Sequence, residues 1–269
     1  MTKENLSPQT TELVLKVLTK TLRLKGLEEI VYKQETEPAT LEMPFVERLT
    51  EALSTLVAQR EVNKVQRMLN ELGLANNLID LEHLSYEPAR NLNKNLIKEL
   101  RSCRWITDSV PAWITITGAT GVGKTYLMKA LVKQAVEKSL PAAYFRYSDL
   151  LRNLEAHIEN KDVLSYRDKL NKRYKVLAID DFGPCERRLD VFQEFNNLLD
   201  DRYAASSVII GSQLPLGKWY EALGGGEHLK DALSDRIMAK TTISITLKGP
   251  SLRAPEPKPE ETREKDIKR

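Results

Sequence analysis

Two short stretches carry residues whose types and spacing could handle a phosphate chain. GATGVGKT, residues Gly118 to Thr125, is a G-x-x-x-x-G-K-[ST] run that follows an aliphatic segment, WITIT, and precedes a helical one, YLMKALVKQAVEK. Glycines at such positions let backbone N–H groups turn inward around phosphate oxygens, and the helix N-terminus adds partial positive charge. In this arrangement Lys124 reaches the β and γ phosphates and Thr125 offers its hydroxyl to Mg²⁺. The nucleotide-binding set is then Gly118, Ala119, Thr120, Gly121, Val122, Gly123, Lys124, Thr125 and Tyr126. The second stretch, VLAIDDFGP, ends a buried-type strand in two neighbouring carboxylates, Asp180 and Asp181. Uncompensated charges there would be costly. At the carboxyl edge of a parallel sheet, Asp180 can face the cation held by Thr125, which supplies the compensation.

Three further residues have a chemical and a plain reading. Asp181 either orients and polarises a water beside the γ phosphate or forms a structural salt bridge. Gln213, at the end of the aliphatic run SSVIIG, either hydrogen-bonds the γ phosphate and the water or caps the next helix. Arg236, in DALSDRIM, is either a surface ion-pair member or a finger inserted into a neighbouring subunit's site.

These residues need a scaffold, and the chain can supply one. With 269 residues, 41% of them hydrophobic and 29% charged, it can bury a full core. A net charge of +3 permits a nucleic-acid partner without demanding one. Cys103 and Cys185 form neither a metal-ligand spacing nor a disulfide framework, and no signal core or membrane-length apolar run is present, so a cytoplasmic location is expected. His157 and His228 stand alone, and LGGGEHLKD, residues 223–231, lacks the lysine and strand context of a phosphate loop.

Helical periodicity covers roughly Glu12 to Tyr32, with a break at Gly26, and Val46 to Leu72, with a stop at Gly73. Residues 1–74 are therefore a helical N-terminal domain, and 75–110 a linker with a lead-in helix over about Ala89 to Cys103. From 111 to 250, aliphatic runs at Trp113–Thr117, Ala142–Phe145, Val176–Ile179, Ser207–Ile210 and Thr242–Ile245 alternate with helical stretches. That alternation predicts an α/β fold, a parallel sheet covered on both faces. Residues 251–269, rich in proline and mixed charge, read as a disordered tail that leaves no room for a helical lid.

Taken together, the phosphate loop, Asp180-Asp181, Gln213 and the SDR at Ser234 to Arg236 look like an AAA+ ATPase core. WITITGATGVGKTYLMKAL, IDDFG, DDRYAASSVIIGSQLPLGKWYEALGG and LKDALSDRI more closely resemble the IstB-like helper ATPases of insertion-sequence transposons, relatives of the DnaC-type helicase loaders. LRLKGLEE and REVNKVQRMLNELGL extend the likeness into the helical region, so that it spans most of residues 20 to 253. The resemblance implies binding and hydrolysis of ATP with Mg²⁺, ATP-dependent self-association on duplex DNA, and recruitment or stimulation of a partner transposase; the alternative is a helicase loader preferring single strands. It also implies a trans-acting role for Arg236. This chain departs from the family where it has Asp181 for the usual Glu, Gln213 for the usual Asn, and Leu252 for the usual Tyr before Arg253.

Between the second and third predicted strands, Lys161, Arg167, Lys169, Lys172, Arg173 and Lys175 gather against only Asp162 and Asp168, with Tyr166 and Tyr174 interleaved. By itself such a run is equally a solvated helix face. The resemblance implies non-specific contact with DNA phosphates.

Overall fold

The computed structural model describes residues 8–222, 227–237, 239 and 242–252. The chain divides into two compact units, Met1–Arg67 and Met68–Arg269. In the first lie α1 (Pro8–Thr21), α2 (Leu27–Thr36), the one-turn α3 (Pro38–Leu41) and most of the long α4 (Phe45–Glu71). The break expected at Gly26 is present: this residue has φ of 92°, which a side chain would strain, and it caps the start of α2. A buried amide ties α2 to α4, since Gln34 Nε2 donates to the Arg48 carbonyl at 3.0 Å.

At the far end of α4, Gly73 adopts φ of 66° and Leu74 N–H donates back to the Leu69 carbonyl at 2.8 Å, closing the helix. The lead-in that follows is more broken than the periodicity predicts. One 3₁₀ turn spans Leu81–His83 and another Pro88–Arg90, and α5 starts only at Lys94, running to Arg101. The reason is local: Asn91 is left-handed, and the Asn93 side chain caps α5 by accepting from the Asn95 and Leu96 amides. A single turn, α6 (Arg104–Thr107), then leads into the sheet.

The five strands are β1 (Trp113–Thr117), β2 (Ala142–Arg146), β3 (Val176–Phe182), β4 (Ser207–Ser212) and β5 (Thr242–Thr246). They lie in the order β2-β3-β4-β1-β5, all parallel. Parallel strands need helical crossovers, supplied by α7 (Lys124–Glu137), α8 (Tyr147–Glu159), α9 (Val163–Arg173), α10 (Leu189–Arg202), the short α11 (Trp219–Ala222) and α12 (Glu227–Ile237). Leu177, Ile179, Val208 and Ile210 join one buried cluster with Leu150, Leu154, Phe195 and Leu199 from α8 and α10. Their alternating neighbours, including Ala178, Ile209 and Gly211, face the other side, where Met128 of α7 packs. The sheet is therefore covered on both faces, the P-loop AAA+ architecture expected from the sequence.

Strand order has a direct consequence for chemistry. Because β4 is threaded between β3 and β1, the residues that end it fall between the phosphate loop after β1 and the acids of β3. A second feature lies in β3, which continues past Ile179 to Phe182. Ile179 is opposite Ile210 and Phe182 opposite Ser212, so Asp180 and Asp181 together face the single residue Gly211. This is a β-bulge, and its extra residue, Asp181, takes φ of 55°. Aspartate tolerates that conformation better than most side chains.

Away from this edge, Arg202 is fully buried and binds backbone carbonyls of Tyr174 at 3.0 Å and Ser207 at 3.2 Å, joining α10 to the starts of β3 and β4. Burial lowers its pKa to about 10.

The bulge makes a size-sensitive prediction at Gly211. A Cβ there would come 2.5 Å from Met128 Cε and 2.9 Å from Asp180 Oδ1. Gly211→Ala is expected to destabilise the protein by about 1–3 kcal/mol, the usual cost of overpacking a tight core, measured by urea unfolding. An unchanged midpoint would mean that Met128 yields freely.

Candidate functional site

The phosphate loop is shaped by backbone conformations that only glycine adopts easily. Gly118, Gly121 and Gly123 have φ of 148°, 84° and 97°. Space is as restrictive as conformation: a Cβ on Gly118 would lie 2.4 Å from the Leu247 carbonyl oxygen, and one on Gly121 would lie 2.0 Å from Ser251 Oγ. These contacts come from the segment after β5, which crosses the loop. Leu247 N–H donates to the Thr117 carbonyl at 2.8 Å and Leu252 N–H to that of Gly121 at 3.0 Å. Residues 253–269, the rest of the stretch read as a tail, lie outside the described residues.

Lys124 opens α7 directly after the loop and is buried. Its Nζ donates to the carbonyls of Gly118 and Ala119, each at 2.7 Å, which holds the ammonium within the loop. Next to it, Thr125 Oγ1 donates to Asp180 Oδ2 at 2.7 Å. The same oxygen accepts from the Tyr144 hydroxyl at 2.6 Å, and Asp180 Oδ1 accepts from the Asp181 amide at 2.9 Å. Asp180 is only 1% exposed, so these donors offset much of its lost hydration. Tyr144 was not among the expected residues. Its signal was faint: one hydroxyl in the otherwise aliphatic and aromatic run AAYF of β2. Burial, followed by the bond to Asp180, holds the Tyr144 phenol far above its ordinary pKa.

Asp181, by contrast, points away from the core and is exposed, so the bulge gives adjacent carboxylates opposite environments. Gln213 reaches the loop, as the strand order requires: Thr120 Oγ1 donates to its Oε1 at 2.8 Å. Arg236 lies in the last turn of α12, and its side chain, like that of His228, lies outside the described residues, as does the 223–226 part of the glycine-rich loop.

Thr120, Gly121, Gly123, Lys124 and Thr125 of the loop border one cavity of about 650 Å³ with Asp180, Asp181 and Gln213. Tyr126 stabilises its opposite wall. The hydroxyl accepts from the Asp80 amide and donates to the Asp80 carbonyl, both at 3.2 Å, while Lys133 Nζ donates to the Ile79 carbonyl at 3.0 Å. Ile79, His83 and Leu84 thereby face the cavity. Among the described residues four cations, Arg90, Lys124, Lys129 and Arg146, oppose the two carboxylates around it. That leaves an excess of two positive charges, matching a nucleoside triphosphate with one divalent cation, which carries about two negative charges. Among the described residues no group of three or more His, Cys, Asp or Glu side chains could hold a metal. This donor set suits Mg²⁺, which takes one or two protein oxygens and completes its shell with phosphate and water. Thr125 and Asp180 are the two residues that could hold it.

The basic stretch is distributed differently. Lys161, in the turn between α8 and α9, and Lys169, Lys172, Arg173 and Lys175 are all exposed. Lys172 pairs with Asp168 at 2.7 Å and Arg173 with Glu71 at 2.6 Å. Arg167 turns inward instead, pairing with Glu194 at 2.8 Å and Asp201 at 3.1 Å, and joins α9 to α10.

Residues 17–258 match the family described as IstB-like ATP binding protein. An insertion-sequence ATP-binding protein of Pseudomonas fluorescens is 33% identical over 72% of this chain and 83% of its own length. Another from Bacteroides fragilis is 29% identical over 86% of each. Among solved structures, DnaA of Aquifex aeolicus bound to AMPPCP aligns with a TM-score of 0.50 at 19% identity, over 63% of this chain and 50% of that one. The alignment thus spans about half of that initiator, and at such identity it bears on the fold alone. No helix among the described residues is long and apolar enough to cross a membrane.

Tyr144 provides a pH-dependent test. A phenol whose pKa is raised on folding contributes stability that is complete below about pH 10, the unfolded value, and declines as pH rises above it. Tyr144→Phe should lower stability near neutral pH, through loss of a donor to Asp180, and lose less on going from pH 8 to pH 11 than the wild type. Parallel urea-midpoint profiles would contradict the bond to Asp180.

Proposed function

The chain belongs to the IstB-like ATP-binding family, and from that membership we propose that it is an ATP-hydrolysing, DNA-binding helper of transposition. In this reading it self-associates on duplex DNA when ATP is bound and recruits or stimulates a transposase. The observation that carries the nucleotide part is the Thr125–Asp180 hydrogen bond beside the glycine-shaped loop, with Asp181 exposed next to it. Names of the relatives, as insertion-sequence ATP-binding proteins, support the transposition part.

Each residue has one task here. Backbone N–H groups of 118–125 and the α7 N-terminus bind the phosphates, and Lys124 neutralises the β and γ groups. Thr125 and Asp180 would hold Mg²⁺, which would supply neutralising charge to the phosphates. Asp181 orients the attacking water and draws its proton, while Gln213, already in contact with Thr120 of the loop, senses the γ phosphate through the same amide. Aspartate is one methylene shorter than glutamate, so turnover is expected to be slow until a partner completes the site. Arg236 is the group assigned to a neighbouring subunit's nucleotide, where it stabilises transition-state charge.

Exposed Lys161, Lys169, Lys172, Arg173 and Lys175 support phosphate contact with DNA. Arg167, held by two carboxylates, is left to a structural role.

Particle size measured by light scattering, with duplex or single-stranded DNA and with ATP, ADP or neither, tests the proposal. Large particles requiring both ATP and duplex are expected, and Lys124→Ala should abolish both nucleotide binding and assembly. A preference for single strands, or no growth, would contradict the helper reading. Replacing Lys169, Lys172 and Lys175 together by alanine should weaken duplex binding for every sequence and flatten its salt dependence. Unchanged affinity across a salt titration would remove these lysines from the DNA surface.

A further inference from the structure

Arg90 is the cavity's least expected cation. It lies in the lead-in, in the 3₁₀ turn Pro88–Arg90, 28 residues before the phosphate loop begins, yet it is only 9% exposed and borders the same cavity as Gly121, Gly123 and Lys124. Among the described residues no carboxylate pairs with it. Its side chain makes one hydrogen bond there, Nη2 to the Val122 carbonyl at 2.9 Å, and a Cβ on Gly123 would lie 2.8 Å from the same nitrogen. A guanidinium has five N–H donors. Buried without an anion, it is an expensive group to keep.

Arg202 shows what a purely structural buried arginine looks like in this fold. Four oxygens lie within hydrogen-bond distance of its terminal nitrogens, those of Leu170, Asn171, Tyr174 and Ser207, and it borders no described cavity. Arg90 has one acceptor and a cavity in front of it. Its turn is also fixed from a distant part of the chain. The Arg90 carbonyl accepts from Lys248 N–H at 3.1 Å, and the side-chain Nδ2 of the neighbouring Asn91 donates to the Thr246 carbonyl at 2.9 Å. The guanidinium is thus held in place before any ligand arrives, which lowers the ordering cost of binding.

We propose that Arg90 is a phosphate-binding residue of this site: its unused N–H donors bind the polyphosphate of the nucleotide, from outside the loop motif. This rests on the reading of the cavity as a nucleotide site. A planar fork of charged donors suits phosphate oxygens, and a charge already desolvated by the fold binds an anion more strongly than one on the surface. The glycine at 123 is what lets the guanidinium approach the loop so closely.

Two variants, Arg90→Met and Arg90→Gln, separate this role from a merely bracing one. The first removes charge and donors, and the second keeps a donor for the Val122 carbonyl. Melting temperature without nucleotide and ATP affinity by calorimetry are measured on the full chain. The expected result is a nucleotide-free melting temperature equal to or above that of the wild type, with ATP affinity reduced roughly tenfold or more in both variants. Wild-type ATP affinity in Arg90→Gln, with a lowered nucleotide-free melting temperature in Arg90→Met, would overturn the proposal and leave Arg90 as a brace. If Arg90→Met fails to fold, the ATP affinity of Arg90→Gln decides alone. Failure of the wild type itself to bind ATP would refute the nucleotide reading, a result distinct from any difference between variants.

Discussion

A buried carboxylate at the edge of a parallel sheet is the constraint around which this molecule is arranged. Asp180 has almost no contact with solvent, and its two oxygens are served by three donors from three separate elements: the Thr125 hydroxyl on α7, the Tyr144 hydroxyl on β2 and the Asp181 amide beside it. An ionised group so placed is tolerable only if every donor arrives at once. That requirement fixes where α7 begins relative to β3, and therefore where the phosphate loop must turn. It also explains Gly211, since any side chain on the opposing strand would displace the Asp180 carboxylate.

The same edge gives adjacent aspartates different chemistry. Without the bulge the side chains of 180 and 181 would simply alternate across the sheet, one to each face. With it, Asp181 turns its amide toward Asp180 while its side chain emerges into solvent at the cavity rim. One carboxylate is thereby committed to a fixed position, and its neighbour is left exposed at the rim, the place from which it is proposed to serve the water. Strand order completes the arrangement by delivering Gln213 between them and Thr120. Beneath these details lies a balance of charge, in which, among the described residues, four cations and two carboxylates around the cavity suit an anion of charge about −2.

Much of this was legible in the residues alone, because it rests on local pattern. The glycine spacing of 118–125, the aliphatic runs of the five strands and the acids ending the third are contiguous signals. Periodicity likewise located α4 to within a residue at each end. What escaped the sequence depends on distant parts of the chain meeting. Tyr144 reads as an ordinary strand residue until β2 is paired with β3, and Arg90 reads as a surface charge until the turn holding it docks beside the loop. Arg167 illustrates the converse: it shares a basic run with exposed lysines, but helical phase turns it toward Glu194 and Asp201. The bulge was invisible for a related reason, since an extra residue in one strand is defined only by the register of its partner. Asn91 and Asn93, which shorten the lead-in helix, carried a local signal that the apolar periodicity outweighed.

In the proposed mechanism the bulge divides labour between the two aspartates, with Asp180 holding the cation and Asp181 serving the water. Single-turnover hydrolysis of ATP by the wild type and by Asp181→Asn, at concentrations saturating both, addresses it directly. Asp181→Asn is expected to bind ATP as tightly as the wild type and to hydrolyse it roughly a hundredfold more slowly or worse, the scale of a lost general base. Equal rates at equal occupancy would contradict it.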